Sequence, residues 1–217
     1  MEPVQTIQPV IPVTVGDWNL VNRIIMPVGN VDGAIPGPNN PNPAPGDGGS
    51  ASGLGDTNYS VYFSPVKYGK VIWGAGPSLN LPTASEDQLG SGKWSAGVTG
   101  VALTVPKWGS MGILGRHLWS FAGESNRQDV NQSLIEPFLN YNLDNGWFLL
   151  TDLVITANWE ASSSNTWTVP LGGGFGRVFK LGNQAINSRL EAYYNVVQPT
   201  GAPEYAVNFT WQFLFPK

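Results

Sequence analysis

Apolar and polar residues alternate along the last stretch of the chain, with Leu214 as the one apolar exception on the polar face. Aromatic and aliphatic residues occupy one face of an extended strand, and amides and a hydroxyl occupy the other. The apolar face holds Val207, Phe209, Trp211, Phe213 and Phe215, and the polar face holds Asn208, Thr210 and Gln212. A period of two indicates a β-strand between two different environments.

The same periodicity predicts eleven strands along the chain. They cover residues 7–15, 18–27, 59–67, 71–82, 93–105, 111–122, 134–143, 147–159, 166–180, 186–198 and 205–215. Asn145-Gly146 is the clearest hairpin turn, because both residues accept a positive φ. The longest connection, residues 28–57, is rich in Pro, Gly and Asn, and proline cannot donate to a ladder.

Short turns and longer polar loops alternate along the whole chain. Bacterial outer-membrane barrels have this pattern, with short periplasmic turns and longer extracellular loops. The predicted fold is therefore all-β, a single antiparallel up-and-down transmembrane β-barrel over residues 1–217, with 28–57 as a long extracellular loop.

The strand count raises a question of closure. Single-chain bacterial barrels have an even number of strands, and eleven is odd. We therefore expect a twelve-stranded ancestor whose first strand is absent from this chain. Because a bilayer tolerates no open sheet edge, further N-terminal residues, a second protomer or a strained odd closure must cover the edges.

Composition fits this picture and excludes several classes of function. Only 12% of residues are charged, compared with about 25% in a typical soluble domain. There is no Cys, and the net charge is −4 without a basic cluster, which argues against a disulfide scaffold and against nucleic-acid binding. Met1-Glu2-Pro3 does not begin a signal peptide, so an exported protein would be present here in a mature or truncated form. We predict no cofactor and no metal site.

Charged residues that fall on the polar faces are candidates for the barrel lumen: Arg23, Arg116, Glu136, Asp152, Arg189 and Glu191. Acids and arginines share this face, so we expect paired charges, which either guide a solute or only stabilise and plug a narrow barrel. Tryptophans near strand ends are candidates for interfacial girdles, with ordinary core packing as the alternative: Trp18, Trp108, Trp147, Trp159 and Trp167. Asn22 fits poorly on an apolar face, and either Arg116 or its neighbour His117 must face lipid.

His117 is the only histidine, which limits catalysis. Ser120 lies on the opposite face of its strand, and nothing in the sequence fixes the register of Ser95 or Thr99 beside it. A nucleophile, a base and an orienting group must lie within hydrogen-bond reach, so we predict no catalytic residue. The glycine-rich segment 172–176 lacks the Lys-Ser/Thr of a phosphate loop and indicates small residues under a bulky neighbour or a kinked wall.

Several motifs resemble those of a known group of proteins. They include Asp17-Trp18-Asn19-Leu20, Trp73-Gly74-Ala75-Gly76-Pro77, His117-Leu118-Trp119-Ser120-Phe121 and the ending Leu214-Phe215-Pro216-Lys217. These resemble the outer-membrane transporter family of the phenol-degradation (MetA-pathway) type over nearly the whole chain except 28–57. The aromatic last strand also resembles the C-terminal signature of outer-membrane barrels, although Pro216 and Lys217 follow the final Phe. The resemblance implies an exported barrel with a further N-terminal strand and a signal peptide, and supplies no catalytic or binding residues.

The resulting expectation is a non-enzymatic barrel of the bacterial outer membrane, a passive channel for a small solute, with hydrophobic or aromatic solutes as candidates. Its partners would be outer-membrane lipid and that solute, with a homo-oligomer or a missing N-terminal strand completing the barrel. A structural or assembly protein that joins copies through open sheet edges is the alternative, and a barrel lipase is third.

Overall fold

The computed structural model describes residues 4–32 and 50–215. They form a single antiparallel sheet, which confirms the all-β, up-and-down prediction. Its strands are β1 Val4–Ile7, β2 Val10–Val15, β3 Trp18–Asp32, β4 Ser50–Leu54, β5 Thr57–Pro65, β6 Ile72–Leu81, β7 Lys93–Thr104, β8 Gly109–Gly123, β9 Asn131–Asn142, β10 Trp147–Asp152, β11 Ile155–Asn158, β12 Trp167–Leu181, β13 Gln184–Val197 and β14 Tyr205–Leu214.

The sheet follows chain order and contains fourteen strand segments, not eleven. Two of the predicted strands, 7–15 and 147–159, are interrupted, giving β1 and β2, and β10 and β11. The third break separates β4, which lies in the predicted loop, from β5. Each break lies at or opposite a proline, which has no N–H for the ladder. Pro9 accepts from the Ile24 N–H, Pro27 from Gly55 and Pro137 from Leu153, at 3.1, 2.8 and 3.0 Å.

The predicted bounds of the loop, 28–57, were too wide. β3 continues to Asp32, and β4 pairs with it from Ser50, so residues 28–32 and 50–54 form a ladder. Gly29 pairs with Gly53, and Val28 with Leu54. The surrounding Pro and Gly concealed both segments in the sequence. The proline-rich part of the predicted loop lies outside the described residues.

Connections alternate between two ends of the sheet. We call the end with connections 16–17, 66–71, 105–108, 143–146 and 182–183 the short-turn end, and the opposite end the long-loop end. Asn145 has a φ of 57° and Gly146 a φ of 77°, as the Asn-Gly hairpin prediction requires.

One face of the sheet, the inner face, curls around a shared core. Tyr62 of β5, Leu114 of β8 and Leu134 of β9 are buried together, and Val21, Val101 and Val154 pack against them. These residues come from widely separated positions in the ladder, so the sheet bends strongly enough for its inner face to meet itself. Within the described residues, β14 pairs only with β13, and β1 and β2 pair only with β3.

Three single-turn 3₁₀ helices, Asp87–Leu89, Asp144–Gly146 and Ser163–Asn165, lie in connections. No helix in the described ranges has the length and apolar character needed to cross a membrane.

Candidate functional site: the charged inner face

All six charged residues selected from the sequence lie on the inner face. Arg23, Arg116 and Glu136 each lie two residues after a residue of the inner-face core and therefore on the same face of their strand. Those core residues are Val21, Leu114 and Leu134. Asp152 ends β10, two residues after the buried Leu150, and Arg189 and Glu191 lie on β13. Arg116 is 8% exposed and Glu191 3%. Alternation alone therefore placed three arginines and three acids on one surface.

Four of these side chains and a tyrosine form a connected network on β9, β10 and β13. Arg189 Nε lies 2.8 Å from Glu191 Oε1, although its N–H does not point at that oxygen, so the contact is an ion pair without a linear hydrogen bond. Arg189 Nη1 lies 3.9 Å from Asp152 Oδ2. The Tyr193 hydroxyl donates to Glu191 Oε2 at 2.9 Å and accepts from the Asp152 N–H at 3.0 Å. Glu136 extends the network, because its carboxyl group lies close enough to Asp152 to interact with it electrostatically.

The network continues across the curl of the sheet. Glu136 interacts electrostatically with both Arg23 and Arg116, and the two arginines are close enough to interact with each other. With its amide oxygen turned toward Arg23, Gln8 accepts from Nε and Nη2 at 3.0 and 3.2 Å. Charges of both signs from β3, β8 and β9 therefore share one interior space, and the presence of opposite charges there limits the cost of their burial.

Small polar side chains line another part of the inner face. Asn58 and Ser60 of β5 and Ser78 of β6 are buried. Ser60 and Ser78 hydroxyls lie 2.8 Å apart, and Asn58 Nδ2 donates to the Leu79 carbonyl at 2.9 Å. The Thr99 hydroxyl donates to the Tyr62 hydroxyl at 3.0 Å. These residues were not selected from the sequence, although their alternation with Tyr59, Val61 and Phe63 was a usable signal.

The opposite, outer face is exposed and mostly apolar. Its large side chains form pairs near both ends of the strands. Trp18 with Trp73, Trp108 with Tyr141 and Trp147 with Phe175 lie at the short-turn end, and Trp159 with Trp167 lies at the long-loop end. The five tryptophans predicted as girdle residues are thus exposed near strand ends, between 37% and 48% of their surface.

The structure also shows on which face of the sheet Asn22, Arg116 and His117 lie. Asn22 does lie on the outer face, where its Oδ1 accepts from the Tyr59 hydroxyl at 2.7 Å and its Nδ2 donates to the Ile11 carbonyl at 3.1 Å. Arg116 points inward, and His117 points outward. No bulge separates them, because the pairing of β8 with β7 keeps one register through Arg116 and His117.

His117 has a hydroxyl partner that sequence analysis missed. Its Nδ1 lies 2.7 Å from Ser133 Oγ on the neighbouring strand, and the indole N–H of Trp159 donates to that same oxygen at 2.9 Å. Ser95 and Thr99, considered beforehand, are buried on the inner face instead. Within the described residues, His117 Nε2 is buried without a hydrogen-bond partner. The set of nucleophile, base and orienting group is therefore incomplete.

A buried carboxyl group organises the long-loop end. Asp56 Oδ2 accepts from the backbone N–H and the hydroxyl of Ser91, both at 2.7 Å. Burial raises the pKa of Asp56, against the lowering effect of these hydrogen bonds. Arg127 donates from Nη2 to the carbonyls of Asp87 and Gly90. Two long loops are thereby tied to the start of β5.

A second acid at this end behaves oppositely. The exposed Asp129 lies 3.0 Å from Lys93 Nζ. Hydrogen bonds from Lys93 and then from Ser120 lower the pKa of Asp129.

The glycine-rich segment lies under a large side chain, one of the two alternatives predicted. A Cβ on Gly176 would meet ring atoms of Phe148 at 2.3 to 2.9 Å. Phe148 is buried on the inner face. The glycine is therefore needed for packing, and nothing here supports a phosphate-binding role.

No cluster of His, Cys, Asp or Glu within residues 4–32 and 50–215 could hold a metal ion. Comparison with known proteins finds no matching family model, no matching curated protein and no matching solved structure.

Proposed function

We propose that this chain is a passive channel of the bacterial outer membrane that admits a small solute through the inner face of a closed barrel. The observation that carries the proposal is the inverted distribution of polarity. Most charged and polar side chains of the strands lie on the inner face, and aromatic and aliphatic side chains cover most of the outer face. A bilayer is the solvent that such an outer face suits.

The solute class follows from the interior. Three arginines and three acids offset one another there, so the inner face has little net preference for either sign of charge. Tyr62, Leu114 and Leu134 form an apolar cluster in the same interior. We therefore expect small neutral solutes, including aromatic ones, to be preferred over ions, in line with the transporter resemblance.

The first experiment asks whether the protein needs detergent to stay folded and whether its migration on a semi-denaturing gel changes on heating. A detergent-dependent, heat-modifiable species supports a membrane barrel. A β-rich protein that stays monomeric and folded without detergent would overturn the proposal.

The second experiment measures solute entry into liposomes. The probes are a monosaccharide and a monocyclic aromatic solute that protein-free liposomes exclude. Tyr62→Ala removes bulk from the apolar cluster and should increase flux, whereas Tyr68→Ala in an exposed turn should leave it unchanged. Equal flux through wild-type protein and protein-free liposomes would refute a channel.

A structural or assembly role is the second candidate, and the unpaired sheet edges favour it. Within the described residues, β14 and the β1–β2 strand each have pairing on one side alone. Exposed edges can add a strand from another chain. Crosslinking between β14 and the β1–β2 strand of separate copies, in an oligomer that needs no detergent, would support this role over a channel.

A further inference from the structure

The outer face carries a groove of about 390 Å³ at the short-turn end. Four neighbouring strands, β10, β12, β13 and β14, contribute to it. Its apolar lining includes Trp147, Phe175, Phe179, Leu190 and Phe209. Ser188 lies between Arg177 and Trp211 in the ladder, and its small side chain leaves space among the large neighbours. This volume is within the usual range for small-molecule sites.

Two arginines, Arg177 and Arg189, are among the lining residues. Arg189 is paired with Glu191 and Asp152 on the inner face, so Arg177 is the cation that the outer face offers to a ligand. Its Cζ lies 5.3 Å from the centroid of the Trp147 ring, within cation–π range. Its Nε donates to the Asn145 carbonyl at 3.4 Å. The guanidinium is thus oriented by the β9–β10 turn, and no described carboxylate forms an ion pair with it. The remaining N–H donors of an arginine so placed suit a phosphate group.

Charges elsewhere at this end also favour an anion. The described cations near the short turns are Lys67, Lys70, Lys107, Arg177 and Lys180, and the described acids there are Asp17 and Asp144. The long-loop end has the opposite balance, with Asp56, Glu86, Asp87, Glu124, Asp129, Glu160 and Glu204 against Lys93 and Arg127. An anionic ligand is therefore attracted to the end at which the groove lies.

We propose that this groove binds an anionic glycerophospholipid, with an acyl chain along the aromatic lining and the phosphate at Arg177. The inference rests on the proposed membrane location, in which the short turns face the periplasm. It goes further by assigning a specific lipid site to one position on the outer wall. Apolar walls, with the oriented guanidinium of Arg177 not ion-paired to any described carboxylate, match the two parts of such a lipid.

The test is a titration of the detergent-solubilised full chain with phosphatidylglycerol or phosphatidylcholine, with bound lipid counted by native mass spectrometry. Phosphatidylglycerol should bind more tightly. A basic residue near an anionic lipid surface contributes about 1 kcal/mol, so Arg177→Gln should weaken phosphatidylglycerol binding about fivefold. Lys107→Gln is the matched control, because Lys107 is an exposed cation beside another tryptophan of the same end, outside the groove lining.

A second variant tests the groove without altering charge. Ser188→Leu fills the space and should weaken binding of both lipids, while heat modifiability reports that the variant still folds. Inorganic phosphate serves as the competitor. Displacement of the lipid by millimolar phosphate would show that the site recognises a free anion and would overturn the lipid assignment.

The outcomes separate this inference from the proposed function. A detergent-dependent protein that binds both lipids equally, or that loses no phosphatidylglycerol affinity in Arg177→Gln, overturns the groove assignment alone. A monomer that stays folded without detergent overturns the membrane location and the lipid site together.

Discussion

Replacing Glu191 by Gln tests whether the inner-face network contributes to stability as a unit. The substitution keeps the shape of the side chain and removes its charge. Glu191 is 3% exposed on its side chain and Arg189 31%. Arg189 would then retain one acidic neighbour, Asp152, at 3.9 Å, and the Tyr193 hydroxyl would lose its carboxylate acceptor.

The expected loss follows from the burial of the pair. Removing one partner of a fully buried ion pair costs about 3–5 kcal/mol, because the other charge stays buried without compensation. Arg189 reaches solvent over almost a third of its side chain, and water screens the orphaned charge. We therefore expect Glu191→Gln to lower the free energy of unfolding by about 2 kcal/mol.

Urea titration in detergent, followed by tryptophan fluorescence, measures this free energy. Glu204→Gln, at an exposed acid of a long loop, is the control and should change it by less than about 0.5 kcal/mol. The double variant Glu191→Gln/Arg189→Gln should be less destabilised than the sum of the single variants, since neither partner of the Arg189–Glu191 pair is left charged without the other. A loss below about 0.5 kcal/mol in Glu191→Gln, or strict additivity in the double variant, would refute the reasoning.

The remaining predictions concern packing and pH. Gly176→Ala should lower the free energy of unfolding by about 1–3 kcal/mol through overpacking against Phe148. Gly115→Ala, which has open space at its Cβ, should leave this free energy unchanged in the same titration. Equal effects of the two substitutions would contradict the packing argument. The pKa of Asp56 in the folded protein is raised above the ordinary value of 3.8. The contribution of Asp56 to stability is therefore complete below pH 3.8 and is lost as the pH rises through the pKa of the folded state. The stability of wild type relative to Asp56→Asn should fall with rising pH. The pKa of Asp129 is lowered, so its stabilisation is present above the ordinary value of 3.8 and is lost as pH falls. The stability of wild type relative to Asp129→Asn should therefore show the opposite slope, and a slope of the wrong sign for either acid would contradict the assignment of that acid.

The local features of the fold could be predicted from the sequence. Alternation with a period of two placed Arg23, Glu136 and Glu191 on the polar face and Trp147 and Phe209 on the other, because successive side chains of a strand point to opposite sides. The hairpin turn at Asn145 and Gly146 could be predicted because Asn and Gly tolerate a positive φ, which is a local property of individual residues. These predictions needed no knowledge of which strands are neighbours.

Only the tertiary structure decided which residues meet. Ser133 is sixteen positions from His117, and their contact depends on the register between β8 and β9, which a single strand's pattern does not contain. The breaks opposite Pro27 and Pro137 likewise appear only when the partner strand is known. The approach of Glu136 on β9 to Arg23 on β3 depends further on the curl of the sheet, because curvature is a collective result of twist and packing over many strands. Periodicity determines the face of a residue, and register with curvature determines its partners.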